Sequence, residues 1–177
     1  VSVPIKEFEG YYGFLSNFYE CPVAFEGVIY KSSEHAFQAA KSLDPDVRKH
    51  IASRETCANA KRAGKRIKPL REDWDYIKDS IMEEIVRDKF ARNEDLRAKL
   101  LETGDRELIE GNRWNDRYWG VSLRDNEGQN KLGQILMKIR GELRPAKADA
   151  QERPTERMKA INPQERPDRS ATDRLSF

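Results

Sequence analysis

Glu34, Gln38 and Lys41 recur at three- and four-residue spacing within "SSEHAFQAAK" (32–41). If this segment is helical, each residue advances about 100° and the three side chains project within an arc of roughly 60°. A carboxylate, an amide and an amine on one stripe can be a solvated face, in which Glu34 and Lys41 attract each other by a few tenths of a kcal/mol. They can also be the wall of a catalytic cleft. Phe37, Ala36 and Ala40 lie toward the other side and suit a core. A second candidate is "YYGFLSNFY" (11–19), with five aromatics around Gly13, Ser16 and Asn17. A ligand-binding loop has a use for Ser-Asn at its centre and a buried strand does not; an aromatic core hairpin is the competing reading. A third is "NRWNDRYWGV" (112–121), where Asp116 stands between Trp114 and Trp119. Partial desolvation there would raise a carboxyl pKa and suit proton transfer, although a structural Asp–Arg pair would look the same. Trp74 follows the basic stretch "KRIKPLRED" (65–73) and reads as a core anchor or a stacking platform.

The elements that must position these residues follow from local signals. "CPVAFEGVIY" (21–30) reads as two short strands around a turn at Glu26-Gly27. Together with the aromatic run before it, a small N-terminal sheet is expected within residues 5–30. Ser33 is the expected cap of a helix over 34–43. Asp44-Pro45 opens a second helix over 45–52, and a third is expected over 54–63, stopping at Gly64. The strongest periodicity is Trp74, Ile77, Ile81 and Ile85 in a long charged helix. Asn93 is the expected cap of the next one, which carries Leu96 and Leu100 and ends at Gly104. Residues 111–128 read as loop and short strand, and "NKLGQILMKIRGEL" (130–143) as a final helix buried along Leu132, Ile135, Leu136, Ile139 and Leu143. The fold class expected is α+β, mainly helical, in a single domain over 1–143. Residues 144–177 are rich in Arg, Glu, Asp and Pro, repeat "ERP" at 152–154 and 165–167, and are expected as a flexible, disordered charged tail.

The 177 residues are enough for one domain with a real core. Charged residues make up 36% and the net charge is only +2, so composition alone does not announce a nucleic-acid binder. Cys21 and Cys57 are too few for a disulfide framework and are expected as thiols of a reduced compartment. His35 and His50 are the whole histidine inventory, with no HExxH and no Cys pair at metal spacing, so no metal is expected. Neither GxxxxGK[ST] nor GxGxxG at a helix start is present. No run approaches the roughly 18 apolar residues of a membrane span, and "VSVPIKEFEG" lacks a signal-peptide layout. A cytoplasmic chain is expected.

Five segments in order, "GFLSNF" (13–18), "EHAFQAAK" (34–41), "PLREDW" (69–74), "NDRYWG" (115–120) and "GQNKLGQILMKIR" (128–140), resemble the NADAR family, also called YbiA-like. The resemblance covers roughly residues 8–143. The chain departs from it at Ala36, where members often carry an aromatic, and at "VSLRDNEG" (121–128), where many are glycine-rich. The resemblance implies a YbiA-like domain that cleaves N-glycosidic bonds without a cofactor. One branch hydrolyses phosphoribosylamine intermediates of riboflavin synthesis. Another removes ADP-ribose from guanine in DNA, reversing a DNA-modifying toxin, so a toxin partner system is a further implication. By motif it implies catalytic roles for Glu34 and Asp116; Lys41, close by on the stripe, is expected to be catalytic too, as an amine that forms a Schiff base with the opened sugar, the alternative being a phosphate or ribose-hydroxyl contact. It implies functional roles for Trp74 and Trp119 as well, and Gly13, Phe14, Ser16, Asn17, Phe18, Gln38 and Gly120 are expected to bind substrate with them. The substrate expected first is ADP-ribosylated guanine in nucleic acid, with a small ribosylamine as the alternative. Two other classes compete: a module that binds ADP-ribose or NAD without turnover, and an interaction protein that works through its tail.

Overall fold

The structure, a computed structural model, describes residues 2–145. The expected charged tail, apart from its first two residues, lies outside the described residues. A hairpin opens the regular structure: β1 (Glu20–Phe25) pairs antiparallel with β2 (Val28–Ser32). Its turn is Glu26-Gly27, at φ 44° and 79°, which is the left-handed pair a tight two-residue turn requires. The sheet does not extend back to residue 5 as expected. Gly10–Leu15 forms a 3₁₀ helix, and Ile5 makes a lone bridge with Leu108. The aromatic run points side chains in several directions at once, with Phe14 and Leu15 buried and Tyr11 exposed, which a two-sided strand cannot do.

Helix α1 (Ser33–Ala39) leads directly from β2 and is capped by Ser32, whose Oγ accepts from His35 N at 3.2 Å. It is thus shorter than the expected 34–43, and Ser33 is its first residue rather than its cap. Lys41 lies in the turn beyond it, with its N donating to the Gln38 carbonyl at 3.3 Å. Helix α2 (Pro45–Ala52) is capped by Asp44, as expected. α3 (Cys57–Gly64) starts later than expected because Thr56 takes the cap.

The long helix α4 (Trp74–Arg92) is the centre of the domain. It buries Trp74, Ile81, Met82, Ile85, Val86, Lys89 and Phe90 against β1, α1, α5 and α6. Helix α5 (Glu94–Glu102) buries Leu96 and Leu100 and gives way at Gly104, φ 61°. Asn93 is not its side-chain cap. The Asn93 amide instead donates backward to the Lys89 and Pro22 carbonyls, closing α4 against the hairpin. Two two-residue strands, β3 (Gly111–Asn112) and β4 (Val121–Ser122), pair in parallel around the "NDRYWG" loop. Helix α6 (Lys131–Leu143) then packs on α4 and α5 through Leu132, Ile135, Leu136 and Ile139. Among the described residues no helix is long and apolar enough to cross a membrane.

Candidate active site

Every residue of α1 is buried, so the solvated-face reading of its stripe fails. Glu34 is only 6% exposed and Gln38 only 4%. The Gln38 Nε2 donates to Glu34 Oε1 at 2.7 Å. The reason lies outside the segment: α1 is wrapped by β1, β2, α2, α3 and α4, and the 16–18 loop closes over its start, with Glu34 N donating to the Asn17 carbonyl at 3.0 Å. That loop is in turn held from below. Lys89, buried on α4, donates from Nζ to the Ser16 carbonyl at 2.8 Å, and the Asn17 amide reaches Met82 Sδ at 3.3 Å.

The "NDRYWG" loop is built around Asn112 and Asp116. Asn112 Oδ1 accepts from Asp116 N at 2.8 Å and its Nδ2 donates to the Asp116 and Val121 carbonyls. Asp116 Oδ1 accepts from the backbone N–H groups of Tyr118 and Trp119, both at 3.0 Å. Tyr118 fastens the loop to α4 by donating to Asp79 at 2.5 Å, and Lys131 of α6 pairs with the same carboxylate. The hydrogen bond to Asp79 pushes the Tyr118 hydroxyl up to about 12.

The two assemblies face one cleft of about 600 Å³. Of the residues expected in a site, it is lined by Ser16, Asn17, Phe18, Glu34, Gln38, Lys41, Asp116 and Trp119. Gly13, Phe14, Trp74 and Gly120 do not line it. Phe14 is packed edge-on against Phe90 at 6.5 Å. Trp74 stands behind Phe37, whose ring lies 5.1 Å from it and 5.2 Å from Trp119. Gly120 is a close-approach position, since a Cβ there would fall 2.2 Å from the Glu110 carbonyl oxygen. Phe37, assigned to the core by its angle, is also a cleft wall.

Residues that sequence reasoning missed are Lys61 and Lys65 on and just after α3, Trp114 at 63% exposure, and Glu110. Lys61 Nζ sits 5.3 Å from the Phe18 ring and 5.9 Å from that of Trp114. Glu110 had one faint signal: an acid directly after the apolar pair Leu108-Ile109 and before a glycine.

Burial dominates the electrostatics. It raises the Glu34 carboxyl above the ordinary range, against Lys61, the Gln38 hydrogen bond and Lys41, while Asp116 adds to the rise. It lowers the Lys41 ammonium; Glu34 opposes, and Lys61 and Lys65 add. Burial also pushes Glu110 up to about 7. The cleft therefore offers acids and an amine displaced toward neutrality, between aromatic walls. This arrangement can hold a sugar, stabilise cationic charge on it and move protons.

The NADAR domain family's sequence pattern matches residues 5–144. The chain belongs to the NADAR domain family. It is similar to the N-glycosidase YbiA of Escherichia coli (strain K12), at 40% identity over 133 residues, which are 75% of this chain and 82% of that protein. It is 41% identical over 133 residues to a riboflavin biosynthesis protein of Vibrio vulnificus, covering 75% of this chain and 36% of that one. The NMR structure of E. coli YbiA superposes with a TM-score of 0.71 at 37% identity, over 80% of this chain and 83% of that chain. This NADAR chain thus shares the YbiA fold as well as its sequence motifs.

Proposed function

We propose that this NADAR protein is an N-glycosidase that hydrolyses the bond between C1′ of a phosphorylated ribose and an exocyclic nitrogen. ADP-ribose on guanine in nucleic acid is the preferred substrate. The observation that carries the reading is the convergence of Glu34, Lys41 and Asp116, from segments about eighty residues apart, on one aromatic-walled cleft. A cleft of about 600 Å³ lies in the usual range for nucleotide-sized ligands. Cleaving the bond builds positive charge on the ribose ring, and a carboxylate held in a low-dielectric wall stabilises it strongly. Glu34 takes that role and activates the attacking water. Burial weakens the Lys41 ammonium, which supports a covalent alternative in which its amine attacks the opened sugar. Lys61, Lys65 and the exposed Trp114 line the cleft where phosphate and base of a larger substrate would lie.

A second reading, hydrolysis of a phosphoribosylamino-pyrimidine, is favoured by the name of the V. vulnificus relative. Either substrate carries with it a cytoplasmic location, and the first implies a partner enzyme that attaches the ADP-ribose. The test is to incubate the protein with an oligonucleotide bearing ADP-ribosyl-guanine and, separately, with the ribosylamino-pyrimidine phosphate, and to measure released sugar. Faster release from the oligonucleotide is expected, with Glu34→Gln inactive on both. Binding without turnover by the wild type would make it a binding module.

A further inference from the structure

We infer that Glu110 is the general acid of this cleft, the group that hands a proton to the departing nitrogen. This rests on the N-glycosidase reading and assigns the step that reading leaves open. A nitrogen leaving from ribose must gain a proton, because its anion is a poor leaving group. Three carboxyl groups line the cleft with access to that task besides the peripheral Glu9: Glu34, Asp116 and Glu110. Their hydrogen bonding separates them.

Asp116 is committed to architecture. Its Oδ1 accepts from two backbone N–H groups that shape the "NDRYWG" loop. Glu34 accepts from Gln38 Nε2 at 2.7 Å, and a donor aimed at a carboxylate favours its ionised form. Glu110 has the opposite environment. Its Oε2 is buried and has no hydrogen-bond partner among the described residues. A buried oxygen without a donor is costly as an anion and much less so as a neutral acid. The main chain beneath is fixed on both sides. Glu110 N donates to Asn130 Oδ1 at 3.0 Å, and its carbonyl accepts from Val121 N at 2.9 Å. Gly111 N donates to the Lys6 carbonyl at 3.1 Å. The side chain is therefore held on a rigid base, with one oxygen waiting for a partner that the protein does not supply.

The charges around it agree. Burial raises Glu110 to about 7, the Asp116 charge adds, Lys61 and Lys89 oppose, and Glu34 adds. Burial raises Glu34 as well; what separates the two acids is that Glu34 has the Gln38 donor and the buried Glu110 Oε2 has none, so the proton is assigned to Glu110. In the reaction the C1′–N bond breaks and its electron pair leaves on nitrogen, which takes the Glu110 proton. Water oxygen bonds to C1′ and its proton passes to Glu34. Solvent then carries that proton off and returns one to Glu110. The sum is one water consumed, one C1′–OH and one N–H formed.

The test separates leaving groups. The N-riboside of the preceding section needs an acid. A 4-nitrophenyl β-ribofuranoside 5-phosphate does not, because nitrophenolate leaves unprotonated. Glu110→Gln should lose about 10²- to 10⁴-fold in kcat/KM on the N-riboside and stay within about fivefold of wild type on the aryl riboside, whereas Glu34→Gln loses rate on both. Wild-type kcat/KM on the N-riboside should fall above about pH 7, where Glu110 gives up its proton. That limb should be missing from Glu110→Gln. Equal losses of Glu110→Gln on both substrates, or an unchanged basic limb, overturn the assignment. If the aryl riboside is not cleaved, or the variant does not fold, the basic limb of the wild-type profile decides: none below pH 9 overturns it. Wild type that releases sugar from no N-riboside at all would instead end the N-glycosidase reading itself.

Discussion

Gly64→Ala should damage the site from behind, through Gln38. A Cβ at position 64 would lie 1.9 Å from Gln38 Oε1, 2.7 Å from its Cδ and 2.8 Å from its Cβ. Ordinary contact begins near 3.4 Å, so the amide oxygen must retreat by about 1.5 Å. A swing of the amide alone does not suffice, because Gln38 Cβ is fixed to the α1 backbone and also lies too close. The α1 and α3 backbones must therefore separate, and Gln38 must leave its rotamer as well. Overpacking of this kind costs about 2 kcal/mol, a fall in Tm of roughly 4–8 °C for a chain this size. The chemical consequence follows from the 2.7 Å bond to Glu34. Without that donor the Glu34 carboxyl, already raised by burial, rises further. A higher Glu34 pKa leaves less of the carboxylate that the reaction uses at neutral pH. The expected result is a lower kcat/KM at pH 7, with the acidic limb of the profile displaced upward and activity partly recovered at higher pH. Thermal unfolding and pH–rate profiles measure both effects. Gly141→Ala is the control: it lies in α6 with nothing within 4 Å of the added Cβ, so it should leave activity unchanged and stabilise by about 0.5–1 kcal/mol. An unchanged Tm in Gly64→Ala, or a rate loss with an unshifted pH profile, would refute the coupling of Gly64 to Glu34 through Gln38.

Glu34→Gln should fold normally and lose roughly two to four orders of magnitude in rate; near-normal turnover would move the charge-stabilising role elsewhere. Borohydride added during turnover should trap a reduced ribosyl adduct on Lys41, seen by peptide mass spectrometry. Full activity in Lys41→Arg with no adduct in wild type would leave Lys41 a binding residue. Lys89 is buried and its ammonium is lowered from 10.5 to about 8. A lysine depressed in the folded state contributes its stabilisation fully above the unfolded pKa and loses it as pH falls through the folded one. Wild-type stability should therefore gain up to about 3 kcal/mol from this group between pH 8 and 10.5. Lys89→Met should lack that gain in urea titrations and should raise KM by freeing the Ser16 carbonyl; parallel pH dependences in the two proteins would count against it.

What the sequence made legible is what neighbouring residues decide. The turn at Glu26-Gly27, the Asp44-Pro45 start of α2 and the Ile81, Ile85 stripe of α4 are all set within a few residues. Some readings that failed, such as the caps of α1 and α3, were decided by a neighbouring residue; others were decided by partners farther along the chain. Asn93 is a good cap by type, but the Pro22 and Lys89 carbonyls compete for its amide and win. The α1 stripe has the charge pattern of an exposed face, and periodicity has no access to the 16–18 loop that buries it. Three site segments, around Asn17, around Glu34 to Lys41 and around Asp116, were found because polar groups sat among aromatics without a local structural use. Glu110 lacked that contrast. Its environment is made by Asn130, Val121 and Gly120, none of them adjacent in sequence.

The charge of the cleft links proton and substrate. Its lining carries four acids, Glu9, Glu34, Glu110 and Asp116, and three lysines, Lys41, Lys61 and Lys65. With all of them ionised the wall is one charge negative, which repels a sugar phosphate. With the proton on Glu110 it is neutral. Glu9 also faces Arg113, at 4.0 Å on the surface, which leaves the three deeper acids matched by the three lysines and outnumbered once Glu110 is protonated. The protonation state that arms Glu110 as a donor is then also the one that admits an anionic substrate. Conversely, a bound phosphate adds negative charge and holds the Glu110 proton more firmly until the nitrogen takes it. Rising pH should therefore weaken binding and chemistry together, raising KM as kcat falls. A spectator acid at position 110 would leave the two parameters uncoupled.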